Sequence, residues 1–194
     1  VRFPFPGVYL KNIVRKVLKI DIESVDEWEE SQLIWKVIKI LPAFLEEKDS
    51  SYLKSWFNKN SNENTILDKE IWKLTKLIAN TFDNYALYRP EELSEWIKDK
   101  NSASKSPNGY NSNITWQKVF FNLLYQEINT DPFGIQAKKA IEKLKKDKVN
   151  INSLPDNLFI FGVSSLAPIQ IELMQCLSGY IDIKLFLLTP CPDL

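Results

Sequence analysis

The sequence contains no histidine, two cysteines, one methionine and only five glycines in 194 residues. Without histidine, the chain lacks both the side chain that titrates nearest neutral pH and the commonest metal ligand, which weakens hydrolase and zinc-site readings together. Cys176 and Cys191 are too few for a secreted disulfide scaffold and favour a cytoplasmic setting. Cys176, set among apolar residues of an expected helix, reads as a small core residue. No stretch approaches the ~20 apolar residues of a membrane span and no signal peptide is evident, so no membrane partner is expected. An excess charge is missing too: 25 Lys and Arg balance 25 Asp and Glu. No global field marks a nucleic-acid binder, and any DNA contact must be local.

What is present concentrates first near the C-terminus. Residues 158–163 form a short apolar run ending at Gly162-Val163, and residues 181–188 form a second. Such runs fit strands buried on both faces of a parallel sheet, and the connection between them, with an apolar helix inside, has the length a parallel crossover needs. In a nucleotide-binding fold the turn after the first strand would carry Gly-x-x-x-x-Gly-Lys-Ser/Thr to cradle phosphates. Here it reads Gly162-Val163-Ser164-Ser165-Leu166-Ala167-Pro168, with no second glycine and no lysine. The unit is helicase-like or NTPase-like without the means to bind ATP. A parallel pair rarely stands alone, and the chain has no initiator Met, so further strands are expected beyond it.

Residues 1–150 read as almost entirely helical. Phe3-Pro4-Phe5-Pro6-Gly7 is expected to be extended, with a helix following in which Leu10, Ile13, Val14, Val17 and Leu18 form one stripe. Lys11, Arg15, Lys16 and Lys19 fall on its other face, either as phosphate contacts or as an ordinary solvated face. An acidic link at 21–30 precedes a helix through Leu33 to Leu41, which Pro42 should end or kink. A short helix at 51–57, an Asn-rich loop at 58–64 and a long helix at 67–88 come next. Leu67, Ile71, Leu74, Ile78, Phe82 and Tyr85 line one side of the long helix, with Asn80, Asp83 and Leu87 on the other. Pro90 forces Arg89 out of helical geometry and opens a helix at 91–97. A loop at 100–113 and helices at 115–128 and 134–146 complete this part, the last rich in lysine.

Six tryptophans invite a base-stacking reading, but Trp28, Trp35, Trp56, Trp72, Trp96 and Trp116 sit mostly beside apolar residues, and packing is the better reading for most of them. The pairs Glu29/Glu30, Glu46/Glu47 and Glu91/Glu92 are adjacent, so their side chains diverge around a helix instead of sharing a proton or metal. Asp182 and Lys184 are only a faint echo of a two-metal nuclease, with no acidic partner. Ser164 and Ser165 follow a strand without the Gly-x-Ser-x-Gly elbow or an activating histidine.

The run from Phe82 to Trp96, with Phe82-Asp83-x-Tyr85, Tyr88-Arg89-Pro90 and Leu93-x-x-Trp96, resembles a stretch of the RecC family, the gamma subunits of exodeoxyribonuclease V. Further matching runs occur in the same order: Phe3-Pro4-Phe5-Pro6, Trp35-Lys36 with Leu41-Pro42, Trp116-Gln117, Phe159 to Pro168, Ile181 to Leu185 and Pro190-Cys191. The resemblance covers essentially the whole chain. It implies a mainly α fold with a small α/β portion: residues 1–150 as the helical insertion (1B-like) of a superfamily 1 helicase-like domain lacking motor motifs, and 151–194 as a β-α-β unit of an incomplete 1A-like parallel sheet.

The resemblance further implies a non-catalytic subunit without a cofactor of its own, acting in double-strand-break repair and homologous recombination. Its implied partners are RecB-like and RecD-like subunits and DNA, both single strand and fork, with the 3′-ended strand threaded past a surface that senses a Chi-type sequence. The implied strand-facing positions are Phe5, Lys11, Asn80, Thr81, Asp83 and Arg89. The chain departs from the best-known members at Lys11, where they carry an aromatic, at Asn80, an acid, and at Thr81, an aliphatic residue; Ala167 replaces a proline and Thr189 an asparagine. Framework residues persist while the reading surface changes, so the recognised sequence is expected to differ or be lost. Two other classes compete, a helical protein-interaction module and a small NTPase; the missing phosphate loop opposes the second.

Overall fold

A computed structural model describes residues 4–60, 69–99, 112–146, 154–163 and 165–187, with the backbone alone described at 56–60, 70 and 112–115. Among these residues the fold is mainly helical, with eight α-helices and a two-stranded parallel sheet. The expected loop at 100–113 and the positions Phe3, Leu67, Ser164, Thr189 and Cys191 fall wholly or mostly outside the described residues. Contacts group the chain into two compact units, Val25–Pro132 and Val1–Ser24 with Phe133–Leu194.

The second unit starts with α1 (Pro6–Leu18). The extended stretch is shorter than expected, because Pro6 stands at the first helical position, where its missing N–H has no partner to lose and its fixed φ suits the helix. Leu10, Ile13, Val14 and Val17 are buried as the stripe required. Lys19 closes the helix in a left-handed conformation (φ 61°), and the Ile20 N–H reaches back to the Arg15 carbonyl at 2.8 Å. Against α1 lies α7 (Phe133–Lys146), whose Ala137 and Ala140 are fully buried and permit close approach; Lys143 Nζ donates to the Val17 carbonyl at 2.8 Å.

The same unit contains β1 (Asn157–Phe161), α8 (Pro168–Leu177) and β2 (Asp182–Phe186), with the strands parallel and Asn157 opposite Asp182 through Phe161 opposite Phe186. Gly162, at φ 66°, makes the turn out of β1 in a conformation that side chains disfavour. The Gln170 side chain accepts from the Ala167 N–H at 3.0 Å and fixes the start of α8. Among the described residues the sheet is not buried on both faces. Only Ile160 of β1 is buried, while Phe159 and Phe161 are 51% and 61% exposed and stack on Phe186 at 6.3 and 4.4 Å.

Residues 25–132 form a helical unit of α2 (Glu30–Leu45), α3 (Ser51–Asn60), α4 (Lys69–Tyr88), α5 (Pro90–Lys98) and α6 (Ser112–Ile128), with a short 3-10 turn at Lys48–Ser50. Pro42 does not end α2. A mid-helix proline costs ~3 kcal/mol, but Leu41 and Phe44 flank it and are buried, each contributing roughly 1.5–3 kcal/mol, so packing carries the helix through. The helix α3 runs three residues into the expected Asn-rich loop.

The core of this unit is aromatic. Phe121 is ringed by Trp28 at 5.3 Å, Trp96 at 5.7 Å, Phe82 at 6.0 Å and Tyr125 at 6.2 Å, while Phe120 stacks on Phe82 and meets the edge of Phe44. The indole of Trp28 donates to the Thr130 carbonyl at 2.8 Å, closing the two ends of the unit on each other. Of the tryptophans whose side chains are described, most pack as expected: Trp28, Trp96 and Trp116 are buried, while Trp35 and Trp72 are 65% and 40% exposed; the Trp56 side chain lies outside the described residues. Tyr125 donates to Asp131 at 2.9 Å; burial first, and then this carboxylate, push its phenol up to about 12 and keep it the donor.

Because Phe121 connects four aromatic neighbours, Phe121→Ala is expected to destabilise the fold by about 3–5 kcal/mol. Urea unfolding of the full-length chain measures this, and a loss below about 1 kcal/mol contradicts the assigned core.

Candidate nucleic-acid interface

Four of the six strand-facing candidates lie in the helical unit. Leu74, Ile78, Phe82 and Ala86 bury one side of α4, which turns Asn80 to solvent and leaves Asp83 half-buried on the outer face, as the apolar stripe requires. Asn80 donates to Glu30 Oε2 at 3.4 Å and accepts from Asn84 Nδ2 at 3.0 Å, so its amide is held at both ends. Thr81 donates its hydroxyl to the Leu77 carbonyl at 2.7 Å, one turn back, which keeps that donor inside the helix.

Arg89 occupies the break between α4 and α5. Its backbone, at φ −131° and ψ 46°, leaves helical geometry before Pro90, while its N–H still bonds the Tyr85 carbonyl at 2.9 Å and its carbonyl accepts from Leu93 at 3.1 Å. The guanidinium lies 4.3 Å from the Tyr85 ring and 3.3 Å from Glu92. Tyr85 in turn donates its hydroxyl to Gln117 of α6 at 3.1 Å. Stacking on an aromatic ring while pairing with a carboxylate holds the charge outward in a defined place. Tyr85, Glu92 and Gln117 are positioning residues that sequence reasoning missed; the i, i+4 spacing of Tyr85 and Arg89 was the available signal.

Phe5 and Lys11 belong to the other unit. Phe5 precedes the first turn of α1 and is 83% exposed, its carbonyl accepting from the Tyr9 N–H at 3.0 Å; Lys11 is half-buried on α1. On the basic face of this helix, Arg15 is engaged with its own chain, donating to the Ile22 and Ser24 carbonyls at 3.1 and 2.7 Å. Lys16 and Lys19 remain exposed.

Among the described residues little else offers chemistry or a membrane span. No group of three or more His, Cys, Asp or Glu is disposed to hold a metal ion. Asp182 and Lys184 pair with each other at 3.2 Å, and Lys184 also sits over the Phe159 ring. The Cys176 thiol is half-buried near the Ile141 carbonyl, and its pKa is raised, by burial first and by Glu172, with Lys145 opposing. A thiol so placed is mostly protonated at neutral pH and makes a poor nucleophile. No helix is long and apolar enough to cross a membrane.

Fold and surface together define a mainly helical module ending in a parallel β-α-β unit, with a polar, solvent-facing row on one long helix. The model of the RecC N-terminal domain family matches residues 1–194, and the chain belongs to that family. It is similar to the RecBCD enzyme subunit RecC of Haemophilus influenzae, 24% identical over 210 residues covering all of this chain and 18% of the relative. It is also similar to the subunit of the same name from Escherichia coli K12, at 25% identity over 98% of this chain and 16% of the relative, and from Mycolicibacterium smegmatis, at 23% over 87% and 14%. The chain therefore spans less than a fifth of the length of these relatives.

The Arg89–Glu92 pair is exposed, and such pairs contribute about 0–1 kcal/mol. Arg89→Ala is therefore expected to shift stability by less than about 1 kcal/mol in urea unfolding of the full-length chain, and a loss above 2 kcal/mol would make Arg89 a structural brace.

Proposed function

We propose that this chain is part of a RecC-type, non-catalytic subunit of a cytoplasmic exodeoxyribonuclease V, serving double-strand-break repair and homologous recombination. In this reading the subunit scaffolds RecB-like and RecD-like partners, which consume the ATP, and guides the 3′-ended single strand across a surface that senses a Chi-type sequence. Residues 1–150 and 151–194 are the remnants of 1B-like and 1A-like helicase domains, and the turn after Gly162 retains the shape of a nucleotide fold without its phosphate-binding residues. Membership in the RecC N-terminal domain family over the whole chain supports the reading. The exposed Phe159, Phe161 and Phe186 agree with it, since a sheet of this kind is covered only within a larger subunit.

The observation that carries the strand-contact assignment is the row on α4. Asn80 and Asp83 face away from the core, and past the end of α4 the half-exposed Arg89 guanidinium rests on Tyr85 as a separate, cationic contact. Amides and carboxylates read base edges, while a guanidinium holds phosphate or stacks on a base. Phe5 and Lys11 are assigned to the same function. The changed residues at Lys11, Asn80 and Thr81 mean that strand passage is retained while the recognised sequence is different or absent.

A helical protein-interaction module without direct DNA contact is the second reading, and the 65% exposed Trp35 on α2 favours it. Strand binding and sequence response of the assembled enzyme, comparing wild type with Asp83→Ala and Arg89→Ala, separate the two. The DNA reading expects Arg89→Ala to weaken strand retention about tenfold, as for loss of a charged hydrogen-bonding contact, and Asp83→Ala to alter the response to the recognised sequence. Unchanged retention and unchanged response to every sequence tried would refute the site.

A further inference from the structure

The exposed face of α4 continues beyond the candidates already placed on it. Trp72, Lys76, Asn80, Asp83 and Leu87 follow one another at spacings of four, four, three and four, so they form one stripe along the helix, about 22 Å from Trp72 to Leu87 at 1.5 Å per residue. At its N-terminal end the Trp72 indole is 40% exposed, although it is an aromatic side chain of a type the rest of this unit mostly buries. The Lys76 ammonium lies 5.5 Å from its ring centroid. An indole face with a cation over it is open to a flat ligand, because the ammonium rides on a flexible stem and leaves the ring without leaving the site.

From this we infer that Trp72 and Lys76 form an additional single-strand contact, in which a base stacks on the Trp72 indole and the displaced Lys76 ammonium pairs with the adjoining phosphate. The inference rests on the strand-contact reading of Asn80, Asp83 and Arg89, and extends that track along α4 toward its N-terminus. Charge favours this occupant: Lys69, Lys73 and Lys76 lie in the first eight residues of the helix, and no acid occurs between Ile71 and Phe82. The result is a division of labour along one helix. Its first half offers a stacking platform and positive charge indifferent to sequence, while its second half offers the amides and carboxylate that discriminate bases.

The test uses the full-length chain assembled with its partner subunits and the fluorescence anisotropy of a labelled oligothymidylate. Trp72→Ala is expected to weaken binding about tenfold, within the range for loss of one base–aromatic stack, while Trp72→Phe keeps most of the affinity. Lys76→Gln is expected to lower the slope of log affinity against log salt by about 0.7, the value for one phosphate contact on a single strand. Binding by Trp72→Ala and Lys76→Gln within twofold of wild type overturns the inference. Arg89→Ala, measured alongside, separates the two claims. If it weakens binding and the Trp72 and Lys76 variants do not, the extension fails alone; if none does, both fail; if only Trp72→Ala and Lys76→Gln do, the extension stands without the Arg89 assignment. Intact oligonucleotide binding by Trp72→Ala with poorer recovery of the assembled complex overturns the inference in favour of a protein partner.

Discussion

The packing of Phe120 and Phe121 against Phe82 is the constraint on which the outward surface of the helical unit depends. Phe82 is stacked parallel to Phe120 at 6.0 Å and also touches Phe121, which fixes the rotation of α4 about its own axis. Once Phe82 points inward, helical geometry sends Asp83 and Asn80 to the other side, with Trp72 and Lys76 further along. The neighbouring Tyr85 is seated by Trp96 and by Gln117, and Arg89 rests on Tyr85. Core and surface are two sides of one helix, so changes at the surface positions leave the scaffold intact.

The β-α-β unit is organised differently. Its helices bury their own apolar residues, with Leu173 and Leu177 of α8 and Leu10 and Val14 of α1 almost fully inaccessible. The sheet, by contrast, keeps an aromatic face of Phe159, Phe161 and Phe186 in the open. Such a face is costly to leave in water, at roughly 25 cal/mol per Å². Gly162 leaves β1 in a left-handed backbone conformation that suits glycine.

Much of this was legible in the sequence. Among the described residues helical periodicity and proline placement located the eight α-helices, most clearly where a broad apolar stripe is buried, as in α1, α2 and α4, and the two apolar runs gave a parallel pair in the expected order. Local rules failed where packing overrode them. Pro42 sits inside α2 because Leu41 and Phe44 are buried beside it, and Pro6 opens α1 instead of preceding it. Burial of the strands failed for another reason: apolar composition says that a face needs covering, not that this chain supplies the cover. At the candidate site, the orientation of Asn80 and Asp83 followed from the stripe, whereas the Tyr85–Arg89–Glu92 arrangement depends on a helix break whose geometry no periodicity specifies. Residue type alone could say that most of the tryptophans pack, but only the packed helices show that Trp35 and Trp72 are the exposed ones.

The central claim is that the solvent face of α4, from Trp72 to Leu87, is where a single strand runs, with Arg89 as a separate contact at the break that follows the helix. The most direct measurement is photo-cross-linking of a 5-iodouracil-substituted single strand to the full-length chain in its assembled enzyme, with the modified residues located by mass spectrometry. Cross-links within residues 72–87, on Trp72 above all, are the predicted result. Efficient cross-links elsewhere in the chain with none in that segment would contradict the account.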